Sequence, residues 1–161
     1  MQVFDTKNPR ETFLLGRNLA VGLGAGSCIA LVGDLGAGKT ALVRGLADGL
    51  GADVQMVSSP TYVLVQEYPA RDTTLFHLDL YRMVDAQGEL EELGMEEMLA
   101  GGVVVIEWAD RACDALPLER IEIVIEITGE NTRRFTIKQI RNFVTVHRKE
   151  PRKNTNKHEL S

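Results

Sequence analysis

The chain has 161 residues, 44% hydrophobic and 25% charged, with a formal net charge of −5. That length and balance fit one soluble globular domain with a sizeable core, and they exclude a fibrous or wholly disordered chain. No apolar run approaches the roughly 20 residues of a membrane span, and two cysteines, Cys28 and Cys113, make neither a disulfide framework nor a metal cluster.

The N-terminus, Met1-Gln2-Val3-Phe4-Asp5, lacks the basic-then-apolar order of a secretory signal, so a cytoplasmic protein is expected. Charge is uneven along the chain. Residues 1–132 carry 9 Lys/Arg against 21 Asp/Glu, whereas residues 133–161 carry 9 against 2. An acidic body with a basic tail suits contact with nucleic acid or an acidic partner, or simply a solvated end.

Gln2-Val3-Phe4 reads as a short edge strand. Asn8-Pro9 starts a helix, with Asn8 as N-cap and Pro9 at the first helical position. Its apolar set is Phe13, Leu14, Leu15, Leu19 and Ala20. Gly22-Leu23-Gly24-Ala25-Gly26 ends it. This glycine stretch precedes a strand instead of following one, so it reads as a turn and not as a dinucleotide fingerprint.

Cys28-Ile29-Ala30-Leu31-Val32 is a strand, and Gly33-Asp34-Leu35-Gly36-Ala37-Gly38-Lys39-Thr40 fits G-x-x-x-x-G-K-[ST]. Ala41 to Ala47 then has helical spacing. Strand, glycine loop and helix form the context in which this pattern cradles phosphate. Glycines let backbone N–H groups converge on an anion, and the helix start adds its free N–H groups and positive dipole end. Residues 34–40, namely Asp34, Leu35, Gly36, Ala37, Gly38, Lys39 and Thr40, are the candidate nucleotide site. Lys39 supplies a point charge to the β- and γ-phosphates, and the Thr40 hydroxyl is offered to Mg²⁺.

Gly49-Leu50-Gly51 ends that helix. Hydroxyls crowd around Pro60 in Ser58-Ser59-Pro60-Thr61-Tyr62, and Thr61 is a candidate switch residue able to sense a γ-phosphate. Val63 to Tyr68 and Leu75 to Tyr81 read as strands. The second places His77 and Asp79 on one face and Phe76, Leu78 and Leu80 on the other. Asp85 to Gly101 is strongly acidic, with Leu90, Leu93, Met95, Met98 and Leu99 at helical spacing. Its carboxylates read as a solvated face, with a partner contact as the alternative.

Gly102 to Trp108 is the strongest buried-strand signal, and four consecutive aliphatics there imply a strand covered on both faces. It ends on Glu107, where a metal-side acid of a P-loop NTPase belongs, although Asp is commoner. Asp79 is the second candidate acid, able to orient a water. An N-cap, or a salt bridge with Arg82 or Arg111, is the structural alternative for either. Ile121 to Ile127 and Phe135-Thr136-Ile137 pair as a hairpin across Gly129-Glu130-Asn131. One domain over 1–148 and a basic, disordered tail over 149–161 are expected.

The blocks GDLGAGKT (33–40), SSPTY (58–62), FHLDLYR (76–82), ELEELG (89–94) and VVIEW (104–108), in this order and spacing, resemble the bacterial TsaE (YjeE-type) family over roughly residues 8 to 128. The family's members are small P-loop ATPases of tRNA threonylcarbamoyladenosine modification. The resemblance implies an α/β, P-loop NTPase-like fold: a mostly parallel central sheet flanked by helices, with a C-terminal β-hairpin. It implies ATP and Mg²⁺ held by residues 34–40, with Thr40 and Glu107 ligating the metal. It places Asp79 near the γ-phosphate, Thr61 in a switch loop and Trp108 beside the metal acid. Lys39, Asp79 and Glu107 are thus the expected catalytic set. Arg133, or its neighbour Arg134, is the candidate to approach the nucleotide. TsaB and TsaD are the implied partners, with tRNA met indirectly through the complex and no membrane involved. The tail beyond Phe135 is longer and more basic than the family pattern.

Other functions remain. A small-molecule P-loop kinase is the main alternative, but it calls for an arginine-rich lid, and the middle of this chain is acidic. A regulatory GTPase needs an N-K-x-D-type guanine reader, which is absent. A module that senses ATP without useful turnover is not separable from a slow ATPase by sequence.

Overall fold

A computed structural model of the chain describes residues 1–58 and 64–141. Thr61, most of the 58–62 motif and the expected tail lie outside the described residues. The elements run β1 (Gln2–Thr6), α1 (Pro9–Leu19), β2 (Cys28–Val32), α2 (Lys39–Leu50), β3 (Val65–Pro69) and β4 (Thr74–Asp79). They continue with α3 (Ala86–Glu92), α4 (Met95–Gly101), β5 (Gly102–Glu107), β6 (Arg120–Ile127) and β7 (Arg133–Ile140). Short 3-10 segments cover Val54–Met56 and Ala109–Ala115.

The strands form one seven-stranded sheet of order β1-β7-β6-β2-β5-β4-β3. Its centre, β6-β2-β5-β4, is parallel, while β3, β7 and β1 join antiparallel. β6 and β7 make the expected hairpin, and β1 is the expected edge strand. All six residues of β5 are buried, as its aliphatic run requires. Alternation along the central strands then sorts the core. Ile29, Leu31, Leu75, Val103 and Val105 meet Leu42, Val43 and Leu46 of α2 on one face. Ala30, Leu78, Val104 and Ile106 meet Leu90, Met98 and Ala112 on the other. Among the described residues no helix is long and apolar enough to cross a membrane.

Local chemistry explains the helix starts. Asn8 Oδ1 accepts from Glu11 N at 2.8 Å, satisfying one N-terminal donor of α1, and Glu11 Oε2 accepts from Lys7 N at 2.7 Å, tying the preceding residue to the first turn. Of the apolar set expected for α1, Ala20 is buried and Leu15 and Leu19 pack against the core, but Leu14 does not. Thr12 and Gly16 are its buried residues, while Leu14 is 37% exposed. The cause is a close crossing of α1 and α2. A Cβ at Gly16 would stand 2.2 Å from Leu42 O, and one at Gly45 would stand 2.0 Å from Phe13 O. Backbones therefore touch at Gly16 and Gly45, between the side chains that pack.

Three boundaries also shift. β4 ends at Asp79, because Asp79 Oδ1 accepts from Tyr81 N at 2.9 Å and turns the chain. β3 begins at Val65 among the described residues. The acidic segment is two short helices, broken at Gly94 with φ 73°. Its apolar residues Leu90 and Met98 are buried, and Glu91, Glu92, Glu96 and Glu97 border an open groove beside Ala115 and Pro117.

Candidate functional site

The loop after β2, the end of β4 and the end of β5 all lie at the carboxyl edge of the parallel strands, where open α/β sheets place their sites. Register does the positioning. Asp79 is the direct partner of Glu107 across β4 and β5, and Leu31, at the mouth of the phosphate loop, is the partner of Glu107 across β2 and β5. One cleft of about 410 Å³ is lined by Leu35, Gly36, Ala37, Gly38, Lys39, Thr40, Asp79, Tyr81, Arg82, Glu107 and Trp108. It brings together residues far apart in sequence, including both candidate acids.

The loop has the backbone that its glycines allow. Gly36 has φ 77° and Gly38 has φ 99°, values an L side chain resists. Gly38 caps α2 through its backbone and offers no side-chain acceptor, so the free N–H groups at the helix start are left for an anion. Lys39 is only 6% exposed, and its Nζ donates to the carbonyls of Gly33 at 2.6 Å and Asp34 at 2.8 Å. The ammonium also sits 4.2 Å from the Trp108 ring centroid. Burial lowers the Lys39 pKa, against the opposing pull of Glu107, Asp79, Asp34 and Asp110. The ammonium thus stands desolvated in the field of nearby carboxylates.

Trp108 is the one non-glycine residue with positive φ among the described residues, at φ 59° and ψ 38°. Such a conformation costs a bulky residue about 1–3 kcal/mol. The bend turns the indole back over the cleft, where it meets the Tyr81 ring at 4.8 Å between centroids. Arg111, weighed as an ion-pair partner for the acids, instead donates to the carbonyls of Leu80 (2.6 Å), Tyr81 and Met83 (2.9 Å). It holds the turn after β4.

Glu107 is 3% exposed and Asp79 8%. Glu107 Oε1 accepts from Nε2 of His77 at 2.7 Å, a contact that sequence reading missed. The signal was present in the alternation, since His77 shares a face with Asp79, but the diagonal reach to β5 needed the register. Thr40, Asp79 and Glu107 supply a hydroxyl and two carboxylates to one cleft. That hard-oxygen set fits Mg²⁺, which takes one or two protein ligands beside phosphate oxygens. Among the described residues no group of three or more His, Cys, Asp and Glu could hold a metal by itself.

Arg133 and Arg134 are separated by the structure. Arg133 Nη2 donates to Gly36 O at 2.9 Å, and Nη1 donates to Gly129 O and Thr132 O at 2.9 and 2.8 Å. Arg134 pairs instead with Asp5 at the far edge, Nε to Oδ1 at 2.8 Å. Arg133 also borders a second, smaller cleft of about 110 Å³, with Asn8, Pro9, Thr12, Gly36, Gly38, Ala41, Glu130 and Asn131. Gly36 and Gly38 belong to both clefts, so the phosphate loop separates them. This second cleft was not legible in sequence, because it joins three chain segments.

Fold and loop together define a P-loop NTPase-like α/β protein. Comparison with known proteins narrows the class. The family model described as "Threonylcarbamoyl adenosine biosynthesis protein TsaE" matches residues 6–135. A Bacillus subtilis (strain 168) protein named tRNA threonylcarbamoyladenosine biosynthesis protein TsaE is 41% identical over 138 residues, covering 85% of this chain and 85% of its own. A Streptomyces coelicolor protein of the same name is 40% identical over 114 residues, 70% of this chain and 76% of its own. The crystal structure of Bacillus YdiB superposes with a TM-score of 0.70 at 33% identity, over 86% of this chain and 85% of that one. The chain belongs to the TsaE family.

Proposed function

We propose that this protein binds Mg²⁺ and ATP and hydrolyses the ATP in support of tRNA threonylcarbamoyladenosine biosynthesis, in the cytoplasm and together with TsaB and TsaD. One observation carries the reading. The phosphate loop, Lys39, Thr40 and two strand-end carboxylates line a single cleft.

In this reading the N–H groups of residues 34–40 hold the phosphate chain, and Lys39 leaves its loop carbonyls for the β- and γ-phosphates. Thr40 and Glu107 would hold Mg²⁺, which neutralises phosphate charge when bound. Asp79 orients a water against the γ-phosphorus. The water oxygen bonds to phosphorus as the bond to the β,γ-bridging oxygen breaks, giving ADP, phosphate and one proton. Arg133, tied to the phosphate loop at Gly36, is the arginine proposed to approach the nucleotide, and adenine is favoured because the sequence carries no guanine reader. Thr61 is proposed as the switch residue, and Trp108 closes the cleft over Lys39.

The test measures phosphate release from ATP by wild type and Lys39→Ala, each with TsaB and TsaD present. Release that the substitution abolishes is expected. Equal release by both proteins contradicts the reading, and a phosphorylated metabolite formed by the wild type alone favours the small-molecule kinase.

A further inference from the structure

We propose that His77 is a positioning residue for Glu107: its imidazole fixes the carboxylate rotamer so that one oxygen faces the cation. The inference rests on the reading of the cleft as a Mg²⁺–nucleotide site.

His77 is fully buried, at 0% exposure, in the middle of β4, where its register partner is Val105 of β5. An aliphatic side chain would fill such a position with no polar group to desolvate. The imidazole there has a specific polar partner. Nε2 lies 2.7 Å from Oε1 of Glu107, two residues further along β5 on the same face. An ionised carboxylate only accepts, so Nε2 carries the hydrogen and donates. The short distance is that of a charge-assisted bond. Oε1 of Glu107 is thereby engaged, and in the proposal Oε2 is the oxygen that faces the cation.

The other ring nitrogen lies beside Tyr68. Nδ1 faces the Tyr68 hydroxyl at 3.4 Å, and the two rings lie 6.0 Å apart. The Tyr68 hydroxyl directs its one hydrogen at Gln66 Oε1 and the Ser58 carbonyl, the latter at 3.3 Å, so it meets the imidazole by packing. β3, β4 and β5 are neighbours in the sheet, so Tyr68, His77 and Glu107 form a buried polar row running from the sheet edge to the cleft. Ligating groups depend on such outer partners for their orientation, and loss of one costs about 10- to 100-fold in metal affinity.

The protein carries its own probe. Trp108 is the single tryptophan and stands over Lys39 in the cleft. Binding of the non-hydrolysable β,γ-imido analogue of ATP is followed by Trp108 fluorescence, first in EDTA and then against MgCl₂. In EDTA, wild type, His77→Leu and His77→Gln bind the analogue equally. His77→Leu needs about 10- to 100-fold more Mg²⁺ to reach its metal-bound signal. His77→Gln, whose amide nitrogen reaches the place of Nε2, recovers most of that loss. If His77→Leu does not fold, His77→Asn, whose shorter amide does not reach Glu107, carries the same expectation. Unchanged Mg²⁺ dependence in the non-donating variant, beside a metal-dependent wild type, overturns the role of His77 alone. A wild type whose signal ignores Mg²⁺ overturns the site reading and the inference with it.

Discussion

Arg133 Nη2 donates to the carbonyl of Gly36 at 2.9 Å across 97 residues of chain, tying the β6–β7 turn to the phosphate loop. Its neighbour Arg134 points to the opposite side of the hairpin and pairs with Asp5. Arg133→Ala should therefore loosen the loop and weaken ATP binding about tenfold, the equivalent of about 1.4 kcal/mol. Arg134→Ala should leave ATP binding unchanged. Titration calorimetry on both variants checks this, and equal losses would show that the contact does not shape the loop.

The Asp5–Arg134 pair makes its own pH prediction. The Arg134 hydrogen bond lowers the Asp5 pKa below 3.8, outweighing a small opposing effect of burial. A depressed carboxyl pKa stabilises the fold above the unfolded value and loses that contribution as pH falls through the folded one. Wild type should thus exceed Arg134→Ala slightly in urea midpoint at neutral pH, with the gap closing below pH 3.8. Both side chains are exposed, so the gap is small and shrinks with added salt. A gap that widens in acid contradicts the pairing.

The crossing of α1 on α2 should tolerate no methyl group. A Cβ at Gly45 would lie 2.0 Å from the Phe13 carbonyl oxygen, and backbone cannot swing aside as a side-chain tip can. Gly45→Ala should cost about 3 kcal/mol or prevent folding, at the upper end of overpacking effects. Gly24→Ala, with nothing within 4 Å of its Cβ, is the control and should unfold like wild type. Urea denaturation compares them.

The two cysteines should differ sharply in reactivity. Cys28 is buried at the start of β2, and burial pushes its thiol up to about 12, whereas Cys113 is exposed. A thiolate is the reactive species. Iodoacetamide under native conditions should therefore add one carboxamidomethyl group, on Cys113, and a second only after unfolding. Mass spectrometry of the native adduct decides it, and labelling of Cys28 would mean that β2 opens readily.

What was legible in the sequence was what short stretches encode. The glycine loop between strand and helix, the aliphatic run ending on Glu107, the hairpin turn and the Asn8-Pro9 helix start each state their structure within a dozen residues. The alternation in 75–81 placed His77 with Asp79 but could not say that β5 lies beside β4. The His77–Glu107 bond, the Arg133–Gly36 tie and the cleft between Asn8 and Asn131 depend on tertiary placement, which no local period carries. Leu14 shows the same limit. Apolar spacing marked it for the core, but the glycines of α1 and α2 brought backbones together and turned it outward. Choosing between Arg133 and Arg134 likewise needed the strand phase, since adjacent residues face opposite sides.

The most direct test replaces the homologous gene of a bacterium with this chain and measures threonylcarbamoyladenosine in its tRNA. Wild type should restore the modification. Glu107→Gln, which keeps the shape of the buried side chain and removes its charge, should fold and leave the tRNA unmodified. Full modification with Glu107→Gln would contradict the assignment of the cleft between Gly33–Thr40 and the strand-end acids as the working ATP site.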